Sequence, residues 1–420
     1  VVSVSAWAAD FHVSPFGSDS ADGSRERPWR SIQHGIDQIS PGDTLLVESG
    51  SYKPFHIDRW DTSREARITV RAVGGKVSIT GYGVYDDRYT AISVLTSYVT
   101  IEGFDIDVGA VSAGLRSRGI RVSGEEGDHV RGVHILRNRI RNAGWVGITT
   151  SYADDVLIDG NTVWGSKEEH GIYVANSADN PMIVNNTVFL NPEAGIQING
   201  DPELGGDGII TGALVAGNRI YLNGSAGSAA LNLASVRDSV FMNNLIYDNQ
   251  SQGIASWDDE GGEEYGCKNN LYINNTVIMP PGSRHVFSLR HGSTGNRVLN
   301  NIFVHLGGKD SLAVDRASIA GLRSDYNIVT RIEDTAGRLV TLESWQQQTG
   351  QDAHSLVATA AEVFRDAASH DYSLREGSPA IGRGVAVEIL GKDITGAVRE
   401  GPRPDIGAYR YQPRVPAGDR

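Results

Sequence analysis

Between Trp145 and Asp201 the chain gathers side chains that can move protons and hold a polar ligand: Lys167, Glu169 and His170, then Tyr173, Glu193, Gln197, Asn199 and Asp201, with Arg121 upstream. Two chemistries fit them. In the first, a uronate-containing polysaccharide is cleaved by β-elimination: a base removes the proton beside the sugar carboxylate, a cation neutralises that carboxylate, and an acid protonates the leaving oxygen. Tyr173 and His170 are then the base and acid candidates, Arg121 the neutraliser and Lys167 a reserve cation. In the second, a neutral glycan is hydrolysed by two carboxylates, Glu169 with Glu193 or either with Asp201. Trp145 and, further along, Trp257 offer flat apolar faces for a sugar ring, with Gln197, Asn199 and Asn232 as hydrogen-bonding neighbours.

These residues need elements that bring them together, and the elements are repeats. Gly147-Ile148, Gly171-Ile172 and Gly195-Ile196 each open a short alternating run. Asparagines recur before apolar pairs at Asn138, Asn161, Asn186, Asn218, Asn244, Asn275, Asn301 and Asn327. Self-similarity at this spacing, with 50 glycines and three methionines, indicates a solenoid of short strands joined by tight turns and little helix.

Unequal steps locate a binding face. The extra residues fall just after one type of strand, as Gly124 to Arg131, Gly200 to Gly208 and Trp257 to Gly266. Insertions at one corner of a solenoid wall a surface, so the coils beginning at Ile148 and Ile172 should floor a groove between the first two walls. If Ile148, Ile172 and Ile196 point inward, alternation turns Thr149, Tyr173 and Gln197 outward, with Arg121 in the same column one coil earlier. With coils ~4.8 Å apart, Glu169 and Glu193 become neighbours. The same alternation turns His170 inward.

A net charge of −13 argues against nucleic-acid and anionic-membrane partners, and no apolar run is long enough to span a bilayer. The single cysteine, Cys267, excludes a disulfide framework. Ala6-Trp7-Ala8 after an apolar start reads as the remnant of a secretion signal over residues 1–9, and the chain as an extracellular or periplasmic monomer.

Near the start, Ile32, Ile36 and Ile39 have helical spacing and precede a strand from Thr44 to Glu48, which suits a capping helix within a cap over residues 10–60. The run HVSPFGSD through PGDTLLVESGSY resembles the opening of the secreted right-handed parallel β-helix proteins of the pectate-lyase-like superfamily, which includes polysaccharide lyases and several glycoside hydrolases. That resemblance implies one all-β domain over residues 10–420, a single-stranded right-handed parallel β-helix with coils over 61–330 and a C-terminal cap over 331–420. It also implies that the recurrent asparagines stack at a bend between strands. Thr341 to Gln348 reads as a short helix, and the segment from Asp371 onward is similar to the closing segment of such proteins, expected to pack back along the solenoid.

The family's calcium use makes Asp258 and Asp259, in the acidic third insertion, the candidate ligands of a Ca²⁺ ion; no organic cofactor is implied. Leu289-Arg290-His291-Gly292 is similar to a stretch of alginate and chondroitin lyases whose arginine is catalytic, which makes Arg290 a distant subsite or a competing centre. The expected Lys and Glu on the preceding coil are replaced by Ala255, Trp257 and Asp258. The motif sets of polygalacturonases and mannuronan epimerases are missing. The combined expectation is a secreted polysaccharide-degrading enzyme, a uronate lyase in the first instance, with a glycoside hydrolase and a non-catalytic glycan-binding solenoid as alternatives.

Overall fold

The computed structural model describes residues 8–58, 62–109, 115–389 and 391–413. Ala6 and Trp7, which carried the secretion-signal expectation, lie outside the described residues. The chain divides into two compact units, residues 1–211 and 212–420. Each is built of parallel β-helix coils, and among the described residues no helix is long and apolar enough to cross a membrane.

In the first unit one face is a ladder of parallel strands: Phe55–Ile57, Arg88–Val94, Arg118–Ser123, Ile148–Ser151, Ile172–Ala175 and Ile196–Asn199. The register is the one the Gly-Ile repeat requires. Ile120, Ile148, Ile172 and Ile196 stack in one column, fully buried, while Arg121, Thr149, Tyr173 and Gln197 form the next. The glycines before the isoleucines are needed for close approach: a Cβ on Gly147 would sit 2.3 Å from Val163 Cγ1, and one on Gly171 2.3 Å from Val188 Cγ1. These contacts join the ladder to the opposite sheet, whose Val163 and Val188 pair in register. A core made of one aliphatic side chain per strand per coil is the main stabilising term, at ~25 cal/mol for each Å² of apolar surface removed from water.

The asparagine ladder is present in both units. Asn138 donates its backbone N–H (2.9 Å) and its Nδ2 (3.1 Å) to Asn161 Oδ1, and Asn161 does the same to Asn186 at 2.9 and 3.0 Å. Asn218, Asn244, Asn275, Asn301 and Asn327 continue the pattern in the second unit. All are buried, and each amide satisfies the backbone donor of the preceding bend, which water cannot reach. Two shorter asparagine pairings at other bends, which the sequence reading missed, join Asn223 to Asn249 and Asn270 to Asn296 in the second unit.

The capping helix spans Ile32–Gln38, N-capped by the Ser31 side chain, and buries Ile32 and Ile36. Ile39 ends the helix, and the following strand runs to Tyr52 rather than stopping at Glu48. In the second unit, the predicted late helix is Leu342–Thr349, and the closing segment folds back: Phe364, Tyr372, Leu374 and Ile406 form one apolar cluster with Leu245, Ile302 and Ile328. Cys267 is buried, and burial pushes its thiol up to about 12.

Candidate active site

Tyr173 stands at the middle of the first unit's strand face. Its hydroxyl donates to the Asp201 carboxylate, 3.1 Å from each oxygen. Asp201 follows the strand Ile196–Asn199 in a left-handed conformation (φ 51°), which turns its carboxylate back toward the preceding coil. There it also accepts the Asn176 backbone N–H at 3.1 Å, while its own N–H donates to Asn199 Oδ1. Gln197 and Asn199 are both 5% exposed, so they shape the site from within it.

At the other end of the strand, His170 packs edge-on against Tyr173, with ring centroids 5.1 Å apart. Its Nδ1 accepts the Ala194 N–H at 3.1 Å, which leaves the proton of the neutral ring on Nε2, 3.3 Å from Glu169 Oε2. Burial pushes His170 down to about 4. This corrects the reading of His170 as the acid: at neutral pH it holds no extra proton to give, and it acts instead as a neutral donor that orients Glu169. Burial is also the largest influence on Glu169 and raises its pKa, against the Trp145 indole N–H and the Arg116 charge. That indole N–H faces the carboxylate without reaching a hydrogen bond of ordinary geometry. Glu193 lies one coil further on, half-buried, and Lys167 is exposed.

Arg121 takes its predicted place in the Tyr173 column, two coils before it. It is one of a group. Arg118 lies 4.2 Å over the Trp145 ring and Arg116 5.7 Å from it, and Trp145 in turn makes an edge contact with Tyr173 at 6.5 Å. Trp145 therefore already carries a guanidinium on its face and is not a free stacking platform. Burial, then the neighbouring charges of Arg121, Arg88 and Arg116, push Arg118 down to about 10, still cationic at neutral pH. Arg121 bonds Asp86 at 3.0 Å through Nη2, while its Nη1 is buried with no hydrogen-bond partner. The sequence held the signal: Arg116, Arg118 and Arg121 fall within six residues of an acidic chain.

The first two insertions do not stand apart as walls of an open groove. They meet: Gly206 N–H donates to Glu126 Oε1 at 3.1 Å, and the Tyr152 hydroxyl donates to the Leu204 carbonyl. Their contact bridges the flank of the two intervening coils, and Asp201 belongs to the second insertion itself. A polar cavity of about 480 Å³ lies against Arg121, lined also by Asp86, Thr96, Glu125, Asp128 and His129.

In the second unit the remaining candidates are tied to one another. Trp257 Nε1 donates to Asn232 Oδ1 at 3.1 Å, and Arg290 pairs with Glu333 at 2.6 Å. Asp258 is buried; its oxygens accept the N–H groups of Glu260 and Gly262 and face His291 Nδ1 at 2.8 Å. Those donors do not fit a calcium ion, which needs free oxygen ligands, and Asp259 beside it is half-buried in a left-handed turn.

Residues 67–209 match the family model described as right handed beta helix region. The chain is 27% identical to the uncharacterised protein YwoF of Bacillus subtilis (strain 168), over 88% of this chain and 91% of that one. A shorter match, 47% identical over 47 residues, links it to pectate lyase PEL9 of Emericella nidulans, covering 11% of this chain and 12% of that one. Among solved structures, pectate lyase Pel9A superposes with a TM-score of 0.65 at 15% identity, covering 97% of both chains. The chain folds as a right-handed parallel β-helix, a fold it shares with pectate lyase Pel9A.

Proposed function

We propose that this chain is a secreted polysaccharide lyase that cleaves a uronate-containing glycan by β-elimination. The observation that carries the proposal is the arginine group. A protein of net charge −13 holds Arg116 and Arg118 against Trp145, itself in contact with Tyr173, and Arg88 and Arg121 beside Arg118, which burial first and these charges second depress. Arg118 and Arg121 are half-buried like charges with the exposed Arg88 and Arg116 beside them, a costly grouping, and a chain of sugar carboxylates is the ligand that offsets it. The short match to a pectate lyase sequence and the shared fold agree with this class of substrate.

The reaction follows from the Tyr173 and Asp201 pair. A uronate enters with its carboxylate on Arg121, which starts two coils, about 10 Å, from Tyr173 and reaches along the groove so that its charge favours the carbanion. Asp201 takes the proton from the carbon next to the carboxylate. The electron pair forms the new double bond, the bond to the leaving oxygen breaks, and Tyr173 gives its hydroxyl proton to that oxygen. The proton on Asp201 then returns to the phenolate across the 3.1 Å contact, restoring both groups. Two groups this close reach one face of the sugar, so the elimination is syn. Asp258 and Asp259 have no part in the scheme. Incubating the purified chain with uronate polymers and following unsaturated product by ultraviolet absorbance tests the proposal. New reducing ends without that absorbance would reject it.

One observation favours a second reading. Burial keeps Glu169 protonated to higher pH than an ordinary carboxylic acid, while Asp201 accepts two hydrogen bonds from neighbouring donors. Two carboxyl groups in unlike surroundings are the arrangement a glycoside hydrolase uses. On that reading Glu169→Gln abolishes release of reducing ends from a neutral glycan.

A further inference from the structure

In the second unit, three potential metal ligands come together from three successive coils. His285 and Asp310 hold equivalent places, each three residues before a member of the Ser288 and Ala313 register pair, and Glu333 pairs with Ala313 from the next coil. One donor atom from each lies within 4.8 Å of the other two. His285 Nδ1 is 2.8 Å from Asp310 Oδ2 and 4.0 Å from Glu333 Oε2. Ligand atoms bound to one ion at zinc-like bond lengths sit roughly 3–3.5 Å apart, between those two values.

We propose that His285, Asp310 and Glu333 bind a first-row divalent cation, Zn²⁺ above Ca²⁺. The donor set decides the class. An imidazole nitrogen with two carboxylates suits zinc, whereas calcium takes six or more oxygens and gains little from a nitrogen. The geometry around the ligands points the same way. Arg290 Nη2 holds Glu333 through Oε1 at 2.6 Å, fixing the carboxylate while its other oxygen, Oε2, faces His285. A partner on the far oxygen that orients a ligating carboxylate is what metal sites use outside the ligands themselves. Asp310 is only 8% exposed at its side chain, so its charge sits where a single histidine is a weak counterweight. Arg290 offsets one carboxylate charge, leaving the site with one net negative charge for the ion. Binding displaces the proton between His285 Nδ1 and Asp310, and the neutral ring then carries its one proton on Nε2. Three protein ligands leave a further position open to water or to an oxygen of a bound glycan.

The test is calorimetric titration of the chelator-stripped full chain with ZnCl₂, with MnCl₂ and CaCl₂ as separate arms. One equivalent of Zn²⁺ should bind, at least 10-fold more weakly in Glu333→Gln and His285→Ala. Asp258→Asn and His354→Ala, which break two other close His–Asp pairs, Asp258 with His291 and Asp325 with His354, should leave it unchanged. Glu333→Gln keeps the side chain's size, and circular dichroism confirms that each variant is folded. No stoichiometric binding, equal binding in folded Glu333→Gln, or tighter Ca²⁺ than Zn²⁺ would each overturn the assignment.

Discussion

The Tyr173 hydroxyl donates to the carboxylate of Asp201, 3.1 Å from both of its oxygens, joining one coil of the first unit to the turn that follows the next. The two groups form a proton donor and acceptor on one side of the strand face. In the elimination scheme neither can be replaced without losing a proton transfer. Tyr173→Phe and Asp201→Asn should each lower kcat by about 10²–10⁴-fold with little change in KM. The double variant should be hardly worse than either single one, because the two act as a unit. Steady-state kinetics on a uronate polymer checks this, and additive losses would show that the two residues act separately.

The arginine group makes a prediction about binding. Arg118→Ala and Arg116→Ala should raise KM by about tenfold for a uronate polymer and leave a neutral glycan unaffected. Wild-type KM should rise with added salt, and less so in the variants, since the attraction being screened is weaker. Kinetics at two ionic strengths measures both effects.

Acid should destabilise the fold through His170. Its folded pKa of about 4 lies below the ordinary value of 6.5, so between those values the unfolded chain binds a proton that the folded chain does not. Stability therefore falls as pH drops from 6.5 toward 4 and levels off below. The nearby Glu169 carboxylate pulls the other way, but burial wins. His134, also pushed to about 4 by burial and then by Arg67, adds a slope of the same sign. Urea unfolding at pH 7 and pH 4.5 should show a loss on the order of a few kcal/mol. His170→Gln should flatten the slope; an unchanged slope would remove His170 from the account.

The asparagine ladder sets a further stability test. Asn161 accepts two donors from Asn138 and gives its Nδ2 to Ile135 O, Asp159 O and Asn186 Oδ1, all away from water. Asn161→Ala strands several of these groups and should cost about 2–4 kcal/mol, from about 1–3 kcal/mol for each buried group left unpaired. Chemical denaturation of the variant measures it.

Much of the fold was legible because its signals are local and repeated. The Gly-Ile pairs mark strands whose glycines allow close approach, and each ladder asparagine has an apolar residue two positions on, so both recur visibly along the chain. Helix positions followed from the spacing of Ile32 and Ile36 and from the Thr341 cap. The Tyr173 column was legible for the same reason, through strict alternation.

The site's connections were harder to read, because they depend on turns rather than strands. Asp201 reaches Tyr173 only because its backbone takes a left-handed φ after the strand ends. The insertions meet through Glu126 and Gly206, a loop contact with no periodic signal. The Ala194 N–H that fixes the neutral tautomer of His170 comes from the next coil. Arg88 joined the arginine group from the preceding coil in the same way. His285, Asp310 and Glu333 sit in three coils whose equivalent positions hold unlike residues, so nothing repeats to mark them.

The central claim is elimination at Tyr173 on a uronate polymer. The most direct measurement follows unsaturated product and new reducing ends together, for the wild type and for Tyr173→Phe, over a panel of uronate and neutral glycans. The account predicts both signals from a uronate polymer with the wild type, and loss of both in Tyr173→Phe with the fold intact. Reducing ends from a neutral glycan without unsaturated product would contradict it and turn attention to Glu169 and Asp201.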